Sequence, residues 1–257
     1  MAEDSPPAWI KLDVPYVRTP PAVVDAMLDL AAVGAGDVVY DLGSGDGRIV
    51  IAAVRDRGAR RGVGIDLNPL RVTEATANAQ SAGVADRVTF VEGDVFTADF
   101  SAASVVTMYL WDNVNLRLRP RLLSELRPGT RVVSHQFHMF DWTPDKQVMV
   151  GGQVPVYYWI VPARVEGAWN GSIGKSIASF SLTQRFQSVA GTIVVDGVRG
   201  GIRSAKMSGR AIKLDAVLDD GAFVRFQADV VGETMTGTMA TGDIVRAMTL
   251  RHSPGLN

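Results

Sequence analysis

An acidic residue, Asp41, is followed at alternate positions by three glycines, Gly43, Gly45 and Gly47. Glycine adopts positive φ angles without the steric cost of a Cβ atom, so a turn built from it lets a ligand lie against bare main chain. A dinucleotide-binding turn has its third glycine three residues after the second, and its ligand is an anionic pyrophosphate. Here the third glycine comes two residues after the second, and the carboxylate of Asp41 would repel a pyrophosphate. The turn therefore predicts a cationic ligand, and a nicotinamide-dependent oxidoreductase is the poorer interpretation.

Two more acids, Asp66 and Asp94, stand at the ends of the next two predicted strands, as Asp41 does at the end of the first. The carboxyl ends of the strands line the ligand crevice of a doubly wound sheet, so these carboxylates should converge there. Helix caps and turns account well for any one of them. They account poorly for three acids beside a glycine-rich turn, and the sequence therefore predicts one binding site that all three share.

The sheet that positions these acids is predicted from apolar runs that alternate with helical periodicity up to about residue 162. This alternation is typical of an α/β fold with a parallel, doubly wound sheet and right-handed crossovers. The last two runs, separated by Gly151 and Gly152, predict an antiparallel hairpin at its edge and bring the sheet to seven strands. Strands are predicted from Val38 onward and over 61–66, 87–91, 104–110, 130–137, 147–150 and 154–161, with helices over 22–33, 46–56, 69–81 and 111–126.

Two helix starts carry a capping residue followed by proline. Thr19 is predicted to cap the first helix, with Pro20 at its first helical position. Asn68 is predicted to cap the helix that Pro69 opens, directly after the strand that ends in Asp66.

Helical periodicity disappears after residue 163, and eight short alternating runs replace it: 165–173, 179–187, 191–195, 205–208, 211–217, 222–231, 233–239 and 244–251. Asp196-Gly197 and Asp220-Gly221 are strong hairpin turns between such runs. Eight antiparallel strands in roughly 90 residues predict a small barrel or sandwich, lipocalin-like only in its Gly-x-Trp start. We therefore predict two domains, 1–163 and 164–257. The predicted core of the second contains Trp169, Phe180, Phe186, Phe223, Phe226, Met235 and Met239.

The 257 residues carry 26 basic and 27 acidic side chains, which gives no reason to expect nucleic acid as a partner. There is no cysteine, so disulfides, thiolate metal sites and thiol nucleophiles are excluded. No apolar run approaches the roughly 18 residues that a membrane span requires, and the Pro-rich, acidic residues 1–14 are interpreted as a loose arm without a leader pattern. These features predict a cytoplasmic protein without membrane or nucleic-acid partners. They carry no information on its oligomeric state.

The pattern Asp-x-Gly-x-Gly-x-Gly, which starts at Asp41, resembles the first motif of class I S-adenosylmethionine-dependent methyltransferases. A longer match is more specific. Pro-Tyr-Val-Arg-Thr-Pro, over 15–20, together with Asp-Leu-Gly-Ser-Gly-Asp-Gly-Arg-Ile-Val, over 41–50, resembles the small lysine methyltransferases related to the enzyme that modifies the mitochondrial ATP synthase c-subunit. Arg18 stands where that pattern commonly has proline, and the β-rich tail is not part of that enzyme.

The resemblance implies S-adenosylmethionine as the cofactor, whose sulfonium and ammonium groups are cationic. It implies that Asp66 takes both ribose hydroxyls. It also implies that Asp94 contacts the adenine amine, with the Val95 amide nearby. Leu67, beside the ribose, would pack on the adenine.

For the methionine end, the resemblance implies contacts with Asp41 and with the main chain from Gly43 to Gly47. The Pro-Tyr segment folds over the methionine moiety in the related enzymes, which implicates Tyr16 and Thr19. The cofactor-binding residues implied together are Tyr16, Thr19, Asp41, Gly43, Ser44, Gly45, Gly47, Asp66, Leu67, Asp94 and Val95.

The implied chemistry is in-line displacement at a sulfonium methyl group, for which alignment is the main contribution. An amine acceptor needs only to arrive unprotonated, and a partly desolvated pocket favours this by lowering its pKa. Tyr16 and Tyr109, the latter from the end of the fourth strand, are predicted to flank the sulfonium, with Asp112 as a further catalytic pocket group. The predicted acceptor is a protein lysine or a small-molecule nitrogen.

The stretch from Tyr109 to Asn115 contains no Asn-Pro-Pro-aromatic or Asp-Pro-Pro-aromatic tetrad. This argues against the family members that methylate nucleic-acid bases or glutamine. His135 and His138, with Asp141 nearby in the sequence, suggest a metal site, but the two histidines lack a convincing third ligand, so no metal is predicted. The weak acceptor motif and the added tail leave one alternative function, a catalytically idle methyltransferase fold that binds a ligand or partner through its β-domain.

Overall fold

The computed structural model of the protein describes residues 13–253. The predicted loose arm, residues 1–14, lies outside the described residues except for its last two. The chain divides into two compact units, Met1–Ile160 and Val161–Asn257. None of the helices in the described part is long and apolar enough to cross a membrane.

The first unit contains four helices and seven strands within its described residues. Its helices are α1 (Pro21–Leu30), α2 (Arg48–Arg55), α3 (Pro69–Ser81) and α4 (Asp112–Glu125). Its strands are β1 (Val38–Leu42), β2 (Arg61–Asp66), β3 (Val88–Glu92), β4 (Val105–Met108), β5 (Arg131–His135), β6 (Lys146–Val150) and β7 (Val154–Ile160).

These strands form one sheet in the order β3-β2-β1-β4-β5-β7-β6. Strands β1 to β5 are parallel, and β7 is antiparallel to both β5 and β6. This confirms the predicted doubly wound sheet with its antiparallel hairpin, although β7 rather than β6 pairs with the parallel strands. The strand order reverses between β1 and β4, and ligand crevices of open α/β sheets lie at such a switch point.

Burial on both faces explains why β1 reads as an apolar run rather than as an alternating one. Val39 and Leu42 are completely buried, and α2 covers the strand with Val50 and Ala53, which are buried as well. Burial of a valine or leucine side chain here stabilises the fold by about 1.5 to 3 kcal/mol relative to an exposed one. The packing fixes β1 rigidly, so the turn that follows it starts from a defined position.

Two predictions at helix starts differ in outcome. The Asn68 side chain accepts a hydrogen bond from the Leu70 amide and caps α3, as predicted. The predicted cap of the first helix is wrong, because Pro20 occupies the cap position without a side-chain bond. Thr19 is instead buried, and its Oγ1 lies 3.2 Å from Nδ1 of His135.

The second unit is a closed barrel of eight antiparallel strands, as the alternating runs predict. The strands are β8 (Gly167–Ile173), β9 (Ser176–Arg185), β10 (Ser188–Val195), β11 (Val198–Ser208), β12 (Ala211–Leu218), β13 (Phe223–Val231), β14 (Thr234–Thr241) and β15 (Ile244–Ser253). Each strand pairs with its neighbours in sequence, and β15 pairs with β8 to close the barrel. Of the two architectures that the sequence predicts, a barrel or a sandwich, the structure has the barrel.

Strand β11 is longer than its predicted run, 205–208. The added residues include Gly200 and Gly201. A Cβ atom on Gly200 would lie 2.7 Å from the Val217 carbonyl oxygen of β12, so this glycine permits close approach of two strands. The barrel core contains the predicted Trp169, Phe180 and Phe226 together with Met235 and Met239. Phe223 was predicted there wrongly, since it lies on the outer face and is 49% exposed.

We expect the two units to fold independently, because each has its own buried core. A fragment of residues 1–163 should give native-like circular dichroism and one cooperative thermal transition. A matched fragment that ends at Gly152 lacks β7, which lies between β5 and β6 in the sheet, and should not unfold cooperatively. An insoluble 1–163 fragment, or one that melts without cooperativity, would contradict the predicted boundary.

Candidate active site

A cleft of about 970 Å³, counted to its open mouth, lies at the carboxyl ends of β1 to β4. Its volume is within the range of small-molecule sites. It is lined by the segment 13–19, the turn after β1, the ends of β2 and β3, and the residues after β4. Of the predicted site residues, Tyr16, Thr19, Asp41, Gly43, Ser44, Gly45, Asp66, Leu67, Asp94, Val95 and Tyr109 line this one cleft.

The turn after β1 has the left-handed conformation that its glycines predict. The φ angles of Gly43, Gly45 and Gly47 are +77°, +53° and +80°. The amides of Gly43 and Ser44 both donate to the Ile65 carbonyl oxygen, at 2.8 and 3.0 Å, which fastens the turn to the end of β2. Bare main chain therefore forms one wall of the cleft.

Gly47 serves packing rather than the cleft wall. It occupies the cap position of α2, and a Cβ atom there would lie 2.4 Å from the ring of Phe90 and 3.0 Å from Ala75. The predicted start of the helix at Asp46 is therefore two residues early, since the left-handed Gly47 precedes the first helical residue. Gly47 does not line the cleft, so the cleft gives no support to the prediction that this residue binds the cofactor.

Asp41 is buried beneath the turn and accepts a hydrogen bond from Thr107 Oγ1 at 2.7 Å. Burial, against the opposing hydrogen bond from Thr107 and with smaller contributions from the charges of Asp66 and Asp46, raises the pKa of its carboxyl to about 7. Among the described residues, no cationic side chain contacts this carboxylate. A cation bound in the cleft would supply the missing compensation.

Asp66 is positioned by the main chain on both sides of it. Its Oδ2 accepts from the Gly45 amide at 2.8 Å, and its Oδ1 accepts from the Asn68 amide at 2.9 Å. Burial raises its pKa, and these two hydrogen bonds oppose that shift. Each carboxylate oxygen has two lone-pair directions, so both can still accept a ligand hydroxyl. The geometry fits the predicted contact with a ribose.

The far end of the cleft combines one acid with an apolar surface. Asp94 is exposed, and its Oδ1 holds the Phe96 amide at 2.8 Å. Leu67 is 37% exposed beside it in the cleft wall. Arg121 fixes this loop from α4 by donating to the Val95 carbonyl oxygen at 2.9 Å. Such a pairing of an acceptor with apolar side chains suits a flat heteroaromatic ring that carries an amine.

Residues 13–19 form a strap along the cleft. The Tyr16 ring of the strap packs on the turn so closely that a Cβ atom on Gly45 would lie 2.4 Å from it. The Arg71 guanidinium lies over the same ring, 4.6 Å from its centroid. Arg18 donates to the Tyr16 hydroxyl at 3.2 Å and to Glu74 at 3.3 Å. Arg18, where related sequences commonly have proline, thus holds Tyr16 in place.

A second arginine ties the strap to the turn. Arg48 donates to the Thr19 carbonyl oxygen at 2.9 Å and forms an ion pair with Asp46. Burial alone would raise the pKa of Asp46, but the hydrogen bonds and charge of Arg48 outweigh it and lower that pKa. The strap is therefore fastened at both Tyr16 and Thr19.

On the acceptor side, Tyr109 stacks on His135 with ring centroids 3.7 Å apart, and its hydroxyl donates to Gln136 Oε1 at 3.3 Å. Burial raises its pKa. Asp112, predicted as a further catalytic group, does not line the cleft. It starts α4, and its Oδ1 accepts from the His138 amide at 3.0 Å, so it anchors the loop after β5.

The described residues contain no group of three or more acidic, histidine or cysteine side chains that could hold a metal ion. The three residues considered for such a site have other partners. His135 faces Thr19, His138 faces Asp112, and Asp141 pairs with Arg119.

Sequence reasoning missed the side chains that support the site, namely Arg48, Arg71, Phe96, Arg121 and His135. Arg48 had a signal, because it lies within the longer motif over 41–50. The others are ordinary residues of helices, loops and a strand, and only their contacts across the fold single them out.

The cleft thus has three features for a ligand. The carboxylate of Asp41 suits a cation, the carboxylate of Asp66 suits paired hydroxyls, and Asp94 with the apolar surface of Leu67 suits a ring that carries an amine. S-adenosylmethionine has groups that match each of these. The family model described as the ANTKMT methyltransferase domain matches residues 41–146, within the first unit. A protein-lysine N-methyltransferase of Saccharolobus islandicus is 50% identical over 137 residues, which are 53% of this chain and 85% of that protein. This chain belongs to the ANTKMT methyltransferase family.

Two further matches are a curated methyltransferase and a solved structure. The adenine nucleotide translocase lysine N-methyltransferase of Mus musculus is 34% identical over 168 residues, 65% of this chain and 71% of that protein. The crystal structure of an RNA methyltransferase from Salinibacter ruber with S-adenosyl-L-homocysteine is 56% identical, with a TM-score of 0.56, and covers 58% of this chain and 96% of that chain. This protein is an S-adenosylmethionine-dependent methyltransferase, and the resemblance seen in its sequence is confirmed. The matches give no support to an idle fold.

Replacing Asp41 with asparagine should stabilise the ligand-free protein at neutral pH. With a folded pKa of about 7 and an ordinary value of 3.8, the carboxyl ionises more readily in the unfolded chain, so its contribution to stability is lost as the pH rises from 4 to 7. Asp41→Asn should therefore match the wild type near pH 4 and exceed its free energy of unfolding by on the order of 4 kcal/mol above pH 7.

Urea unfolding at pH 4 and pH 8 measures this difference. The exposed Asp86→Asn serves as the matched control, with an expected change below about 0.5 kcal/mol at either pH. The same Asp41→Asn variant should bind S-adenosylmethionine at least about tenfold more weakly in calorimetry, because a charge-assisted contact is lost. A variant that is less stable than the wild type at pH 8 would refute the burial argument.

Proposed function

We propose that this methyltransferase transfers its methyl group to the side-chain amine of a lysine in a protein. The observation that carries the proposal is the pair of tyrosines in the cleft, Tyr16 from the strap and Tyr109 from the end of β4. Aromatic rings are favourable neighbours for a cationic or methylated amine. The names of the Saccharolobus and mouse relatives support the same acceptor.

S-adenosylmethionine supplies a methyl group on a sulfonium, and the protein has to align an uncharged amine with it. Tyr109 remains protonated at neutral pH, because burial raises its pKa, so it acts as an aromatic wall and not as a base. The partly buried cleft favours the neutral amine by disfavouring its charged form. Alignment and desolvation together suffice for the reaction, since the attacking atom needs only its lone pair.

Charge supports a protein acceptor over a nucleic acid. Residues 1–163 carry 15 basic and 19 acidic side chains, and a polyanion gains nothing from such a surface. The arginines around the cleft already lie in ion pairs, Arg48 with Asp46, and Arg18 and Arg71 with Glu74. The Salinibacter structure is described as an RNA methyltransferase, which makes RNA the competing acceptor for the experiment to separate.

The test uses the full-length protein, S-adenosylmethionine labelled in its methyl group, and lysate of a strain that lacks the gene. Label should enter material that protease removes and ribonuclease leaves intact, and mass spectrometry of the labelled protein should find methyllysine. Asp66→Ala should abolish both cofactor binding in calorimetry and labelling, because the ribose contact is lost.

Four outcomes would overturn the proposal. Label that ribonuclease removes would establish an RNA acceptor, and label in small molecules would establish a metabolite. Methylation of a protein residue other than lysine would leave the protein acceptor and refute the lysine. Full labelling by Asp66→Ala would show that the cleft has been assigned to the wrong ligand.

A further inference from the structure

His135 ends β5 directly behind the acceptor side of the cleft. It is 2% exposed and does not itself line the cleft. Its imidazole stacks on the ring of Tyr109 with 3.7 Å between centroids and an interplanar angle of 27°. A second ring, Phe137, stacks on Tyr109 with centroids 5.8 Å apart. The Tyr109 ring, which does line the cleft, thus packs against His135 at the end of β5 and against Phe137 two residues later.

The same imidazole makes a polar contact with the strap. Its Nδ1 lies 3.2 Å from Oγ1 of Thr19, which is 4% exposed. Thr19 is separated from Tyr16 by two residues, so the contact links the segment that carries Tyr16 to the imidazole on which Tyr109 stacks. Burial lowers the pKa of His135 to about 4, so the ring is neutral at neutral pH and costs no charge burial.

We propose that His135 is a positioning residue for methyl transfer, which holds the Tyr109 ring at the acceptor side of the cleft and couples it to the seated strap through Thr19. The inference rests on the acceptor role of Tyr109 in the proposed function, but not on the acceptor being a lysine. It gives His135 no contact with the cofactor or the methyl acceptor. Its effect should therefore appear in turnover and not in cofactor affinity.

Three other roles for His135 fit the geometry less well. A general base would have to reach the cleft and have a pKa near the working pH, and His135 meets neither condition. A metal ligand would need companions, and the described residues supply no such cluster. A plain core residue would be apolar, because a buried polar ring without a specific partner destabilises the fold. A stacked, hydrogen-bonded imidazole beside a left-handed Gln136, with φ +67°, indicates a position that the structure holds against local strain.

Two substitutions separate the ring from the hydrogen bond. His135→Phe keeps a ring to stack on Tyr109 and loses the contact with Thr19. His135→Asn keeps a polar group near the position of Nδ1 and loses the stacked ring. We expect His135→Asn to lower kcat about tenfold, the factor that corresponds to one stacked aromatic pair. His135→Phe should lower kcat about threefold, because it loses only the hydrogen bond to Thr19, and both variants should bind S-adenosylmethionine within about twofold of the wild type.

A double-mutant cycle with Tyr109→Ala decides whether His135 acts through Tyr109. Methyl transfer is counted as the total label transferred to protein, RNA and small molecules of the deletion-strain lysate at saturating S-adenosylmethionine. If His135 acts through Tyr109, adding His135→Asn to Tyr109→Ala should reduce kcat by less than about twofold. Since the count registers label in any acceptor, a failed lysine assignment leaves this result readable.

The proposal is overturned if His135→Asn has wild-type kcat, if it loses kcat equally in both backgrounds, or if it weakens cofactor binding while kcat is unchanged. Thermal unfolding of each variant comes first. Should His135→Asn not fold, Thr19→Val takes its place, since it breaks the same contact from the strap. At saturating cofactor, Thr19→Val must lower kcat by at least about threefold for the coupling to stand.

Discussion

The turn after β1 is a steric constraint on which three other parts of the first unit depend. Each of its glycines lies where a Cβ atom would strike a different element. At Gly43 the obstacle is Leu110 after β4, at Gly45 the Tyr16 ring of the strap, and at Gly47 the Phe90 ring of β3. All three residues have positive φ as well, so both the turn's own conformation and its surroundings select glycine. The cleft exists because these elements can approach the same bare main chain.

The acids around the cleft form two groups, which differ in whether their partners are charged. The outer acids are neutralised, since Asp46 pairs with Arg48 and Glu74 pairs with Arg18 and Arg71. The inner acids have neutral hydrogen-bond partners, a hydroxyl for Asp41 and two amides for Asp66. Among the described acids of the cleft, Asp41 thus keeps a carboxylate without a cationic partner, which suits a cationic cofactor. The ligand-free protein is less stable for it, as is common where function requires a buried charge.

The sequence was sufficient for what local patterns encode. Apolar runs alternating with a 3.6-residue periodicity identified the doubly wound sheet, because strands buried on both faces are apolar throughout. Periodicity of two predicted a barrel or a sandwich for the second unit, because its strands are buried on one face. The glycines and the acids at strand ends were identified by the same logic, since topology alone brings strand ends together. Most of the predicted cofactor residues accordingly line one cleft.

Contacts across the fold were beyond such reasoning. Thr19 before Pro20 has the pattern of a helix cap, and its partner His135 is 116 positions away in the chain. Asp112 at a strand end resembled an acceptor group, and only the path of the loop after β5 turns it toward the His138 amide. In the barrel, the predicted run 205–208 missed the first residues of β11, which include Gly200 and Gly201, because glycine at a close approach of two strands adds nothing to an apolar alternation.

The pairing that closes the barrel also determines when it can fold. Residues Asn170 of β8 and Ser253 of β15 are hydrogen-bonded across 83 positions of the chain, whereas each other strand pairs with its neighbour in sequence. Until β15 leaves the ribosome, β8 is an unpaired edge, and such edges recruit other chains. The first unit has no such dependence on the end of the chain. Synthesis should therefore yield a folded cofactor-binding unit before the barrel, whose closure is the slow, non-local step.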